Sequence, residues 1–493
     1  MALGAVCVLV AAAAGWWMTH RGAAPGSRGS ETTLAVLPFQ NLGSDSSADY
    51  LRFALPDEIA TTLSYTPSLA IRPFAATRKY ADSNFDPQAA GRELHVASII
   101  TGHYLREGER LQVTLEAIDV ESDRVLWRDT VSAAAQEMIG LEDQISNRVR
   151  QGLLPALGAS SRPGEAESRP KNAEAYSLYL RSLALAHDGA ANRQAIAMLE
   201  QAVGLDPTYA RAWDVLGSRY YFDASYGDGG EAAYRRGEEA HQRARSVDPD
   251  LLSAARSLVV IDTESGQLNT AYDTAAEMVR RRPDNADAHF ALSYVLRYGG
   301  LLDDSARECD VVRALDPANY TFRSCAVPFI ELGKFDRALD FVRTDAGSAW
   351  STDFEWEIDV RQGKYQEALR TLVQAPPPAR DPARQACSEH RPAAEIESRF
   401  RNEVDRVSAG RDSESRFWTA ADLAFCGQRE PALRILQRSV ELGYCCYPAV
   451  DTNPLLAGIR NAPEFAGIRT AAIECQKKFV AHRDQQRGSG ARL

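Results

Sequence analysis

The sequence predicts an α/β domain on a mixed sheet, followed by an all-α solenoid of helix–turn–helix repeats and preceded by one N-terminal membrane helix. Three observations carry that prediction. Pro249, Pro283 and Pro317 stand 34 residues apart, each beside an acidic residue at the end of an amphipathic run. A period of 34 is that of a two-helix unit whose copies stack into a solenoid. Residues 33–131 alternate short apolar runs with turn residues, and Ala2 to Met18 carries no charge.

The uncharged run closes on Trp16-Trp17, ahead of His20 and Arg21. At about 1.5 Å rise per residue it spans roughly 25 Å, the short end of the membrane-helix range. Paired tryptophans at one boundary suit the headgroup zone. Residues 1–20 therefore read as a retained anchor; a cleaved signal peptide is the rival, but no Lys or Arg precedes the apolar part. Residues 21–30, rich in Gly, Ala, Pro and Ser, read as a tether. With 493 residues, 45% hydrophobic and 25% charged, the rest is ordinary globular material for two to four domains. A net charge of −11 argues against nonspecific nucleic-acid binding, which needs Lys and Arg against phosphates. Of the eight cysteines, Cys7 lies in the apolar run and the next is Cys309; no spacing fits zinc. Free or buried thiols are the first reading, and disulfides in an oxidising compartment the second.

The α/β domain spans 31–158. Thr33 to Phe39 is a short apolar run holding Pro38, a buried strand. Leu51, Leu55, Ile59 and Leu63 then repeat at helical spacing, and Leu69-Ala-Ile71 is a second strand. Pro87 to Leu94 reads as a short helix capped by Asp86. Ala97–Leu105 and Leu111–Val120 flank the hairpin signal Glu107-Gly108, and Arg124–Val131 follows the Glu121-Ser-Asp turn. Ile139 to Leu157 closes the domain as a helix. Helices packed on a mixed sheet are the result. No Gly-rich phosphate loop follows the first strand. His95 and His103 read as surface or satisfied histidines, and Asp57-Glu58 as an exposed helix face rather than a metal pair.

Val36-Leu-Pro-Phe-Gln-Asn41, Asp57-Glu-Ile59, Gly102, Gly108 and Leu126-Trp127 together resemble a TolB-like domain of bacterial envelope and signalling proteins. The resemblance implies a protein-contact or sensing domain without catalysis. It also implies a bacterial inner-membrane protein, single-pass, with the bulk of the chain in the periplasm; Arg21 and Arg28 favour the cytoplasmic side by charge bias.

A polar linker, 159–171, leads into the repeats, 172–375. Ala210-Arg-Ala-Trp213, Leu216-Gly217 and Tyr220 reproduce the offsets of the tetratricopeptide repeat once eight extra residues around Tyr226-Gly-Asp-Gly-Gly230 are allowed. That insertion reads as a contact loop or a surface extension. Ala195, Ala202 and Ala271 are small residues at helix crossings, and Tyr179, Trp213, Leu258 and Leu292 fill between neighbours. Gly333-Lys-Phe-Asp-Arg-Ala-Leu339 and Gly363-Lys-Tyr-Gln-Glu-Ala-Leu369 are near-identical inter-helix turns. An irregular or helical insert, 376–416, precedes a terminal degenerate repeat, 417–476, and a disordered tail, 477–493.

In tetratricopeptide arrays the first helix of each pair lines the concave surface. That resemblance places Arg211, Asp214, Tyr221, Arg256, Phe290, Tyr294 and Arg297 on the inner face, as a partner-binding surface rich in hot-spot residue types. No nucleophile elbow, phosphate loop or metal cluster is legible. The expectation is a membrane-anchored, non-enzymatic interaction scaffold or sensor with protein partners, no cofactor, no nucleic acid and no small-molecule substrate. The alternative is the sensory part of a kinase, cyclase or winged-helix regulator whose effector domain lies outside this chain.

Overall fold

The computed structural model describes residues 32–490, apart from 67–68, 73, 82–84, 136, 161–168, 187–188 and 318. The expected anchor at 1–20 and tether at 21–30 lie outside the described residues. Among those described, no helix is long and apolar enough to cross a membrane.

Strands β1 (Thr32–Val36), β2 (Gln40–Asn41), β3 (Leu69–Ile71), β4 (Ser98–Glu107), β5 (Arg110–Asp119) and β6 (Arg124–Ala134) form one sheet. Its order is β3-β1-β4-β5-β6, with β2 pairing β4. β1 is parallel to β3 and β4, and β4-β5-β6 is an antiparallel meander, so the sheet is mixed as expected. The β4–β5 turn uses Gly108 at φ 58°, a conformation that costs a side-chain-bearing residue. Strand alternation separates two cores. Leu34 and Val36 of β1 face α1 (Leu51–Ser64) and α3 (Met138–Arg148), while Ala35 and Leu37 face α2 (Pro87–Glu93). Asp86 caps α2 by accepting from the Gln88 N–H at 2.9 Å. After α3 the helix widens into a π turn over Val149–Leu153, where a side chain at Gly152 would collide with Trp127.

The first helices of the repeat region are α4 (Ala173–Leu183), α5 (Gly189–Leu205), α6 (Ala210–Tyr226) and α7 (Gly230–Val247). Their apolar residues, among them Tyr176, Leu199 and Leu216, continue the core of the α/β domain without a break. The linker therefore joins two parts that share one core. The insertion near Tyr226 is not a loop: α6 and α7 have 17 and 18 residues, against 13 and 14 in the next pair, α8 (Leu252–Glu264) and α9 (Leu268–Arg281). The eight extra residues add about one turn to each helix.

The pair α10 (Ala286–Tyr298) and α11 (Leu302–Leu315) completes the regular register. The residues before the three prolines, Asp248, Arg282 and Asp316, all leave helical space, at φ −129°, −131° and −139°. Proline imposes this by crowding its predecessor, so the stop falls one residue earlier than proline itself. Two further pairs follow, α12 (Ala326–Glu331) with α13 (Phe335–Val342) and α14 (Ala349–Arg361) with α15 (Tyr365–Gln374), shorter except for α14. The two matching turns place Gly333 and Gly363 at φ 69° and 74°. The stretch expected as an insert forms α16 (Pro382–Ser388) and α17 (Ala393–Ala409), and the terminal repeat forms α18 (Ser413–Phe425) and α19 (Arg429–Glu441). After α20 (Tyr447–Thr452), α21 runs from Pro463 to Gly490, so the expected tail from 477 is helical through Gly490.

The array closes on itself. His482 and Arg483 of α21 pair with Asp273 and Asp304 at 2.9 Å each. The Cys445 N–H donates to the Tyr298 carbonyl at 3.0 Å. Gly266 and Gly443 meet across this seam, where a Cβ on Gly443 would stand 2.6 Å from Gly266 Cα. The first reading of the cysteines is corrected here. Cys309–Cys325, Cys387–Cys426 and Cys445–Cys475 are disulfides, and Cys446 is a buried free thiol. The partners come from different elements of the stack, Cys426 and Cys445 from the segments that follow α18 and α19, which sequence spacing does not reveal.

Candidate protein-interaction face

The inner-face residues expected to meet a partner are largely engaged within the chain. Arg211 on α6 is buried in an ion pair with Glu58 of α1, and Tyr179 also donates to Glu58 at 3.1 Å. This corrects two expectations at once: Glu58 is not exposed, and Arg211 serves contact between the two domains. Asp214 is buried 2.8 Å from His241 Nδ1 and accepts from Ser253 at 2.5 Å. Arg256, half-buried, pairs with Asp287 at 3.1 Å and lies 5.1 Å from the Phe290 ring, which is itself core. Arg297 on α10 is buried against Glu414 of α18 at 2.6 Å and stacks on Tyr294 at 4.5 Å.

Tyr221 and Tyr294 converge on one carboxylate. Their hydroxyls donate to Glu264 at 3.2 and 3.1 Å, and Tyr298 donates to Asp412 at 2.7 Å. Burial pushes Glu264 up to about 8, with the negative charge of Asp412 adding to it. Burial also raises Glu414, to about 7, against the pull of Arg297. The sequence missed Asp412 and Glu414 in this network because they stand at the start of α18, more than a hundred residues from Tyr298 and Arg297.

The α/β domain also grips the repeat ends. Tyr65 donates to Asp248 at 2.9 Å, and Arg72 pairs with Asp316 while donating to the Pro317 carbonyl at 2.8 Å. Two of the Asp-Pro turns that set the 34-residue register are thus docking points for the first domain. A cleft of about 590 Å³ lies beside this contact, lined in part by Lys79, Glu93, His95 and Arg343. His95 is exposed at φ 52° and His103 is half-buried on β4. Among the described residues no group of three or more His, Cys, Asp or Glu could hold a metal ion.

Further along, the face opens into a pocket of about 180 Å³ between α14, α17 and α18. Its walls come from the i, i+3, i+4, i+7 faces of two helices, Trp350, Asp353, Phe354 and Glu357 on α14 and Ser415, Trp418, Thr419 and Asp422 on α18. Phe354 stands 4.4 Å from Trp350 and 5.2 Å from Trp418, ring centre to ring centre. Arg384 of α16 also lines it, donating to Asp422 at 2.5 Å and lying 2.9 Å from Asp353. Burial lifts Asp353 to about 6 and Asp422 well above the usual range, both opposed by Arg384. Trp350 and Trp418 are half-buried, so the aromatic wall is open to solvent.

Residues 30–148 match the family model of the second domain of HilA/YgeH-like transcriptional regulators. This is the α/β domain, and the family that matches it is not the TolB-like one expected from the sequence. Putative adenylate cyclase 3 of Rhizobium meliloti (strain 1021) is 26% identical over 186 residues, 37% of this chain and 32% of that protein. The chain thus spans about a third of the length of this curated relative. Two tetratricopeptide-like structures are similar to the helical part. MamA of strain AMB-1 is 19% identical, covering 34% of this chain and 88% of its own, with a TM-score of 0.25. Yeast Tom70 is 14% identical, covering 66% and 68%, with a TM-score of 0.36. Scores this low carry no argument, and the repeat architecture rests on the helix pairing itself.

Proposed function

We propose that this chain is a non-enzymatic protein-interaction scaffold or sensor module, held at a bacterial inner membrane by its N-terminal run, with the described body in the periplasm. It uses no cofactor and takes no nucleic acid. The observation that carries the reading is the open aromatic pocket on the inner face of the last repeats, at Trp350, Phe354 and Trp418. Aromatic anchors in a concave setting are what partner side chains bury against. The three disulfides support the periplasmic placement, since such bonds persist in oxidising compartments. The test is crosslinking and pull-down from intact membranes, comparing wild type with Trp350→Ala plus Trp418→Ala. Loss of specific partners from the variant supports the reading, and equal recovery from both refutes it.

A second reading is favoured by the two sequence comparisons. The named relatives are a putative cyclase and a regulator family, in which this body would be the sensory part of a longer protein. An antibody to the repeats separates the two. A native species near 54.1 kDa supports the scaffold, and one far larger supports the sensory half.

A further inference from the structure

We propose that the pocket between α14, α17 and α18 takes the cationic head of a lysine or arginine side chain from a partner protein. The inference rests on the scaffold reading and adds the chemistry of the ligand. Four aromatic rings, those of Trp350, Phe354, Trp356 and Trp418, line a cavity of about 180 Å³. Two of them already lie against guanidinium groups of this chain, Trp350 at 5.3 Å from Arg323 and Trp356 at 5.4 Å from Arg384. Aromatic faces around a small cavity favour cations, because the ring quadrupole is negative on its face.

The charges lining the pocket point the same way. Asp353, Glu357, Glu403 and Asp422 contribute four carboxylates, against the guanidinium groups of Arg384 and Arg406. Arg384 is already shared between Asp353 and Asp422, and also meets Asp381 at 2.6 Å. Glu357 is taken by Arg361 at 2.6 Å. Glu403, half-buried, accepts a hydroxyl hydrogen bond from Thr419 at 3.0 Å and, among the described residues, forms no direct ion pair, though it acts on Arg384 at longer range. Arg406 is exposed at the rim. An incoming cation would meet Glu403 and the aromatic wall together. A side chain on a partner fits better than a free ion, because the pocket opens between three helices, α14, α17 and α18, with Trp350 and Trp418 left half-buried for a bound chain to cover. The chain's net charge of −11 steers basic partners toward it.

The test uses the full chain and its intrinsic tryptophan fluorescence. The probes are a Gly/Ser-flanked 12-residue peptide with one central arginine, the same peptide with lysine, the same with glutamine, and tetramethylammonium chloride. The arginine and lysine peptides are expected to bind about tenfold more tightly than the glutamine peptide. Glu403→Gln should bring that ratio close to one while its thermal midpoint stays unchanged, and Trp418→Ala should weaken the basic peptides about tenfold. Equal affinity of the arginine and glutamine peptides overturns the proposal. So does binding of tetramethylammonium as tight as that of the basic peptides, which marks a free-cation site. If the charge preference fails yet the double tryptophan variant still loses its crosslinked partners, the scaffold reading stands alone. If the preference holds while those partners persist, the scaffold reading has misplaced its interface and the cation pocket stands.

Discussion

Glu264→Gln is expected to stabilise the protein at pH 8 and to leave it unchanged at pH 4. Glu264 is buried on the inner face of α8, held by the hydroxyls of Tyr221 and Tyr294 and facing the negative charge of Asp412. Its folded-state value of about 8 lies above the ordinary glutamate value of 4.5. The native state therefore binds a proton that the unfolded chain has already released at neutral pH. Below pH 4.5 both states are protonated and the residue costs nothing; above about 8 both are ionised and the full penalty applies. A gap of this size corresponds to roughly 5 kcal/mol at most, at 1.36 kcal/mol per pH unit. Glutamine keeps the shape and the tyrosine contacts without the charge. Urea midpoints followed by far-ultraviolet circular dichroism at pH 4, 5, 6, 7 and 8 give the test. The wild-type midpoint should fall more steeply than that of the variant between pH 5 and 8, and converge with it at pH 4. Parallel curves across the range would refute the buried-carboxylate account.

Two further outcomes follow from the same physics. Arg211→Met strands the buried Glu58 carboxylate at the domain contact and should cost about 3–5 kcal/mol, whereas Glu58→Leu plus Arg211→Met should restore most of it. Limited proteolysis reads the loosened docking as faster release of the α/β domain. Replacing Cys387 and Cys426 by serine removes a bond that closes a loop with a sequence separation of 39 and should cost about 4 kcal/mol by chain entropy. Maleimide mass shifts on protein extracted under acid quench check the pairing itself, with two protected cysteines regained on reduction for each bond.

The elements of the α/β domain were legible because each has a local cause. A short apolar run marked β1, the alternation of Leu111, Val113 and Leu115 marked β5, Asp86 marked the start of α2, and Gly108 marked the hairpin. The prolines were legible for the same reason, since their effect reaches one residue back and no further. The destination of the inner-face residues was not legible. Arg211, Arg297 and Tyr294 look alike in sequence whether a partner or the chain itself covers them. A signal was nevertheless present in the acids: Glu58 stands between Leu55 and Ile59 on the apolar side of α1, and Glu414 precedes Phe417 on that of α18. A carboxylate on a buried face demands a cation or a proton, so each announced an unseen partner. The disulfides were hidden for another reason. Their pairing depends on which helices the superhelix brings together, and separations of 16, 39 and 30 share no pattern.

Self-contact of this kind limits how the protein can work. A partner reaching the first four helix pairs from inside would have to separate Arg211 from Glu58 and Arg297 from Glu414, all four buried. Each separation leaves a carboxylate without its cation, at about 3–5 kcal/mol, so opening both costs about 6–10 kcal/mol. A partner would need to favour the open form by roughly 10⁴- to 10⁷-fold merely to populate it. Raising the pH adds little help, because ionised Glu414 holds Arg297 more strongly than its protonated form does. Recognition through a fixed surface needs no such preference. That places the burden on surfaces the closed array leaves accessible, such as the pocket at Trp350, Phe354 and Trp418, where the two tryptophans are half-buried and one carboxylate, Glu403, accepts from a hydroxyl.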